Sequence, residues 1–165
     1  MKLNQFCIKS YFVAFLIILF VPGVTLAQWQ PQTTAELQTA VDLWIDDNET
    51  ALVTYGEINT WDVSLITDMA NLFQNKSTFN DDISNWDVSS VTSMYMMFRS
   101  AANFNQDLSI WDVSSVTDMY AMFYNATSFN QNLSSWVISS VTEMNSMFQS
   151  ATSFDQDLSS WDVSK

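Results

Sequence analysis

Five tryptophans, Trp61, Trp86, Trp111, Trp136 and Trp161, stand 25 residues apart with no insertion or deletion between them. Three further columns keep the same step: Phe79, Phe104, Phe129 and Phe154; Phe73, Phe98, Phe123 and Phe148; and Met69, Met94, Met119 and Met144. A strict period of this length restricts the chain to a repeat architecture, in which each unit is one supersecondary element that cannot bury its apolar face alone. Counted from Trp61 to Ser160 there are four full periods, and a fifth stops after five residues at Lys165. The Met and aromatic columns are read as stacked core and not as a cofactor box.

The repeat does not start at the first residue. Lys2 and Lys9 flank a polar start, Tyr11 to Val21 is a continuous apolar run, and Thr25-Leu26-Ala27 supplies small residues for cleavage, so residues 1–27 read as a secretory signal peptide. The run is shorter than the roughly twenty residues a spanning helix needs, and no membrane insertion is expected after cleavage. Residues 28–57 form a lead-in. Thr33-Thr34-Ala35-Glu36 has a capping-box pattern, and Leu37, Ala40, Val41, Trp44 and Ile45 recur at helical steps, which predicts an amphipathic capping helix from Thr34 to about Asp47. The repeat array occupies 58–165. Its abrupt C-terminal edge reads as a truncation of a longer array, or else as a surface for stacking or dimerisation.

Composition removes several functions. Past residue 27 there is no cysteine and no histidine anywhere, so disulfides, thiolate sites, thiol nucleophiles and imidazole bases are excluded. Only Lys76, Arg99 and Lys165 then stand against eighteen carboxylates. Such a surface repels phosphate backbones and anionic headgroups, so nucleic acid is not an expected partner. No cofactor is expected.

Within one unit, Leu108-x-x-Trp111-x-Val113 reads as a strand with Trp111 and Val113 on one face and Asp112 on the other. Val116, Met119, Met122 and Phe123 step at helical spacing, and Ser115 with Asp118 resembles a helix cap. Asn125 to Asn132, rich in Asn, Thr, Ser and Gln, reads as the return loop. The fold class expected is therefore an α/β solenoid: a leucine-rich-repeat-like array of 25-residue strand–helix units with a parallel strand ladder and an N-terminal capping helix.

The candidate binding residues are the polar columns of that strand face: Asp62, Asp87, Asp112 and Asp162, with Val137 interrupting, and, two residues on, Ser64, Ser89, Ser114 and Ser139, which read equally well, or better, as turn residues. Carboxylates stacked at roughly 5 Å repel by about 0.8 kcal/mol in water. Salt screening, capping of nearby backbone N–H groups, or a weakly bound cation such as calcium makes the column tolerable. No metal-ligand or catalytic set is assigned, because carboxylates repeated in one regular column lack the differing environments that separate an acid from a base.

The unit WDVSSVTDMYAMFYNATSFNQNLSS, Trp111 to Ser135, resembles the repeat of the BspA-type leucine-rich-repeat surface proteins, as do the lead-in stretches ELQTAVDLW and YGEINTWDVS. The resemblance implies a secreted or cell-surface protein that is not an enzyme and that acts in adhesion, binding an extracellular protein or glycan. The alternative is a structural spacer, calcium-stabilised or not, with no binding site of its own.

Overall fold

The structure is a computed structural model and describes residues 28–164. The signal-peptide reading falls on residues 1–27 and lies outside the described residues. Among the described residues no helix is long and apolar enough to cross a membrane.

Helix α1 spans Thr34–Asp46. Its N-cap is Thr33, whose hydroxyl accepts from the Glu36 N–H at 3.2 Å, while the Glu36 carboxylate accepts from the Gln32 N–H at 2.7 Å. Leu37, Ala40, Val41 and Trp44 are its buried stripe. A second helix, α2, covers Asn48–Tyr55 and is capped by Asp47. It stops at Gly56, whose φ of 75° and ψ of −172° lie where residues with a side chain are strained. A single 3-10 turn at Ile58–Thr60 then leads into the repeats.

The strand–helix solenoid is not what forms. Among the described residues there is no β-strand and no sheet; only single parallel bridges, Asp68 with Ser93, Ser93 with Asp118 and Asp118 with Glu143, join successive units. Leu108–Val113 is turn and irregular chain, and the Val116–Phe123 segment is not a helix. The units are instead coils of consecutive turns, stacked on one another.

The stretch read as helical shows why. Left-handed backbone recurs every fourth residue, at Asn71 and Asn75, Met96 and Ser100, Ala121 and Asn125, and Ser146 and Ser150. Alternate peptides close local turns, as in Met122 N–H to Met119 O, Tyr124 N–H to Ala121 O and Ala126 N–H to Phe123 O. The peptides between them lie across the coil. The N–H groups of Met119, Ala121, Phe123 and Asn125 donate to the carbonyls of Glu143, Asn145, Met147 and Gln149 in the next unit, at 2.8–2.9 Å. An isolated helix of about eight residues is marginal in water because nucleation is unfavourable. Bonding alternate peptides to the neighbour satisfies the same groups, and turns closed over three residues still bring Val116, Met119 and Met122 to one side. All three are buried.

The core is a set of columns. Phe73, Phe98, Phe123 and Phe148 stack at centroid separations of 5.2, 5.5 and 5.6 Å, nearly parallel. Phe79, Phe104, Phe129 and Phe154 stack beside them at 5.7, 6.0 and 6.0 Å. The two columns touch within each unit at 4.0–4.2 Å. Offset contacts of this kind add about 0.5–1.5 kcal/mol beyond the area they bury. Tryptophan supplies a polar tie as well as bulk: the indole N–H of Trp86, Trp111, Trp136 and Trp161 reaches back 28 residues to the carbonyls of Ile58, Ile83, Leu108 and Leu133. Among the described residues no polar or charged side chain is buried.

Helix α1 closes the first unit with matched spacing. Thr34, Gln38 and Asp42 step by four along it, and Asp68, Leu72 and Lys76 step by four along the first coil. Thr34 Oγ1 donates to the Asp68 carbonyl at 2.7 Å, Gln38 Nε2 to the Leu72 carbonyl at 3.2 Å, and Lys76 pairs with Asp42 at 2.7 Å.

Candidate functional site

The aspartate and serine columns face outward but are bound to one another. Asp62 Oδ1 accepts from the Ser64 N–H at 3.1 Å and its hydroxyl at 2.6 Å, and Asp87 accepts from Ser89 at 3.0 and 2.6 Å. Asp112 accepts from the Ser114 N–H at 3.0 Å and Asp162 from that of Ser164 at 3.1 Å. The Ser64 hydroxyl holds the Asp62 carboxyl below the usual carboxylate range, against an opposing effect of burial, and Ser114 does the same for Asp112. Ser139, past the interrupting Val137, is exposed. The carboxylates thus cap backbone N–H groups at a turn.

Two further turns per unit use the same device. Asp82, Asp107, Asn132 and Asp157 accept from the N–H two residues on, at Ser84, Ser109, Ser134 and Ser159. Asp68, Asp118 and Glu143 do so for Ala70, Tyr120 and Asn145. Among the described residues no group of three acidic side chains converges to hold a metal ion.

The segment read as a return loop carries an amide ladder. Asn80, Asn105 and Asn130 each accept, through Oδ1, the backbone N–H 25 residues later, at Asn105, Asn130 and Asp155. Gln106 and Gln131 donate to the Asn80 and Asn105 carbonyls. The recurrence of Asn at 80, 105 and 130 was the signal available for it.

The least regular outward positions lie on the face made by the left-handed turns. Where the outer units place Ala70, Gln74, Asn145 and Gln149, the middle two place Tyr95, Arg99, Tyr120 and Tyr124. Tyr95 and Tyr120 stack at 5.3 Å, and the Arg99 guanidinium lies 5.2 Å from the Tyr124 ring centroid. All four are half-buried. Among the described residues Lys76 and Arg99 are the cations, and Lys76 is held by Asp42. Sequence reasoning on the Asp and Ser columns passed over this cluster, although two tyrosines in one column and a lone arginine were visible.

Stacked 25-residue turn units with an apolar interior, a helical cap and an outer face differentiated in its middle define a repeat protein whose chemistry is all on its surface. The chain belongs to the family described as Mycoplasma protein of unknown function, DUF285, which it matches over residues 45–161. No curated protein matches it. No solved structure matches it either.

Proposed function

We propose that this is a noncatalytic secreted or cell-surface repeat protein that binds an extracellular protein or glycan partner, and that Tyr95, Arg99, Tyr120 and Tyr124 are the centre of the contact. The observation that carries the reading is that the two middle units place a Tyr95–Tyr120 stack and an Arg99–Tyr124 pair, all four half-buried, on one face. Tyr and Arg are the residue types that dominate binding energy at interfaces, where they are surrounded by near-neutral contacts. Similarity of the unit to the repeat of BspA-type surface proteins supports placement outside the cell, as does the apolar run ahead of residue 27.

The test uses beads coated with the protein on epithelial cell monolayers, untreated or stripped with protease. The Tyr95→Ser, Arg99→Ser, Tyr120→Ser, Tyr124→Ser variant should retain its melting temperature to within a few degrees and lose adhesion at least tenfold. Loss of binding on protease-stripped cells marks a protein partner, and retention marks a glycan. A spacer, the second reading, gives no adhesion with either form of the protein.

A further inference from the structure

Beside the cap, between the lead-in and the turn at Ile58–Thr60, lies an open cleft of about 1070 Å³. Its aromatic wall is Trp29 with Tyr55, whose ring centroids are 4.5 Å apart, and Trp29 in turn sits 4.9 Å from the buried Trp61, edge on. Around that wall stand four side-chain amides, Gln28, Gln30, Asn59 and Asn85. None of the side chains lining the cleft is charged, in a chain with eighteen acidic residues.

The amides are aimed and only partly used. Gln28 Nε2 donates to the Thr60 carbonyl and Gln30 Nε2 to Asp62 at 2.7 Å, which leaves each Oε1 as an acceptor. Asn59 is fixed at both ends: its Nδ2 donates to Asp82 at 2.9 Å and its Oδ1 accepts the Asn85 N–H at 3.1 Å. The Asn85 side-chain amide and the Tyr55 hydroxyl have no hydrogen-bond partner among the described residues. A ligand here meets a ring wall, two fixed acceptors, and two groups that both donate and accept.

We infer that this cleft is a binding site for a neutral oligosaccharide, separate from the Tyr–Arg face. A sugar ring has an apolar face of C–H groups that lies against an aromatic wall, and a rim of hydroxyls that donate and accept, which is the complement of amides and a phenol. An anionic glycan is opposed by the surrounding carboxylates. A cationic ligand lacks any carboxylate in the lining to balance it. The site lies in the lead-in and cap, so it stands or falls independently of adhesion through the middle units.

The experiment is saturation-transfer NMR on the full chain with cellotetraose, chitotetraose and maltotetraose, with sialyllactose, choline and a neutral apolar hexapeptide as alternatives. At least one neutral tetrasaccharide should give a saturable signal and shift the side-chain amide resonances of Gln30 and Asn85. Asn85→Ala and Tyr55→Phe should each weaken that binding at least fivefold without lowering the melting temperature, while Arg99→Ser leaves it unchanged. No saturable signal from any of the three neutral sugars, binding insensitive to Asn85→Ala, or preference for sialyllactose, choline or the peptide overturns the inference.

Discussion

A carboxylate or amide accepting the N–H two residues later is the smallest recurring device in the chain, and it explains residues that composition alone makes puzzling. Stacked aspartates such as Asp87 and Asp112 are tolerated because each accepts hydrogen bonds from its own serine. Backbone and hydroxyl donors at Ser109 and Ser159 likewise keep Asp107 and Asp157 below the usual carboxylate range. Since the folded-state values are lowered, the stability these groups contribute is present above the unfolded value of about 3.9 and is lost as pH falls through the folded values. Melting temperature should therefore be level from pH 7 to about 5 and decline below about pH 4. In a triple Asp62→Asn, Asp107→Asn, Asp112→Asn variant, which keeps an acceptor as Asn132 does naturally, the decline should be shallower and the gap to the parent should narrow with acid. Melting curves at half-unit pH steps check it. At this scale the buried columns were legible in the sequence from spacing alone. Capping of backbone N–H groups was one of three explanations open for the aspartate column, and the sequence did not choose among them, because an Asp two residues before a Ser reads equally as a strand face or as a turn.

At the scale of elements, periodicity was read correctly where the element stands alone and wrongly where it depends on a neighbour. Leu37, Ala40, Val41 and Trp44 are buried on one stripe of α1, as its sequence indicates. In α2, Ala51 alone is buried and the apolar residues are not gathered on one face, so nothing periodic announced it. Val116, Met119, Met122 and Phe123 carry helix spacing, yet turns closed over three residues bury the same positions and free alternate peptides for the next unit. That choice is settled by inter-unit bonds between residues 24 apart, which no local window contains. The cap offers a direct test. Gln38→Ala removes the donor to the Leu72 carbonyl and should destabilise by about 1 kcal/mol. Urea denaturation measures the loss, and Thr39→Ala, exposed on the same helix and bonded only to its own turn at Ala35, should cost less.

Taken whole, the molecule is a one-dimensional stack in which each unit bonds to its neighbours, so protection should vary along the axis. The amides of Met94, Met96, Phe98 and Ser100, and of Met119, Ala121, Phe123 and Asn125, donate across to the following unit. Those of Met144, Ser146, Phe148 and Ser150 have no such acceptor among the described residues. Hydrogen exchange should be slow at the first two sets and faster by at least tenfold at the third, and equal rates would contradict the stack.

Those crosswise peptides all point the same way. Within the left-handed turns, each carbonyl that bonds across faces the unit before it and each N–H that bonds across faces the unit after it. This row of turns therefore has a polarity along its length, with partial negative charge gathered toward α1 and partial positive charge at the Met144–Ser150 edge, in the manner of a helix dipole laid down sideways, one unit at a time. Bonds elsewhere in the coils, such as Thr92 N–H to Thr67 O and Ser128 N–H to Ala102 O, run the other way. Two copies of that edge brought face to face would set donor against donor, so whatever meets it must bring a row of acceptors. At the other end the Thr34 hydroxyl and the Gln38 amide supply donors to two carbonyls of the first row, those of Asp68 and Leu72.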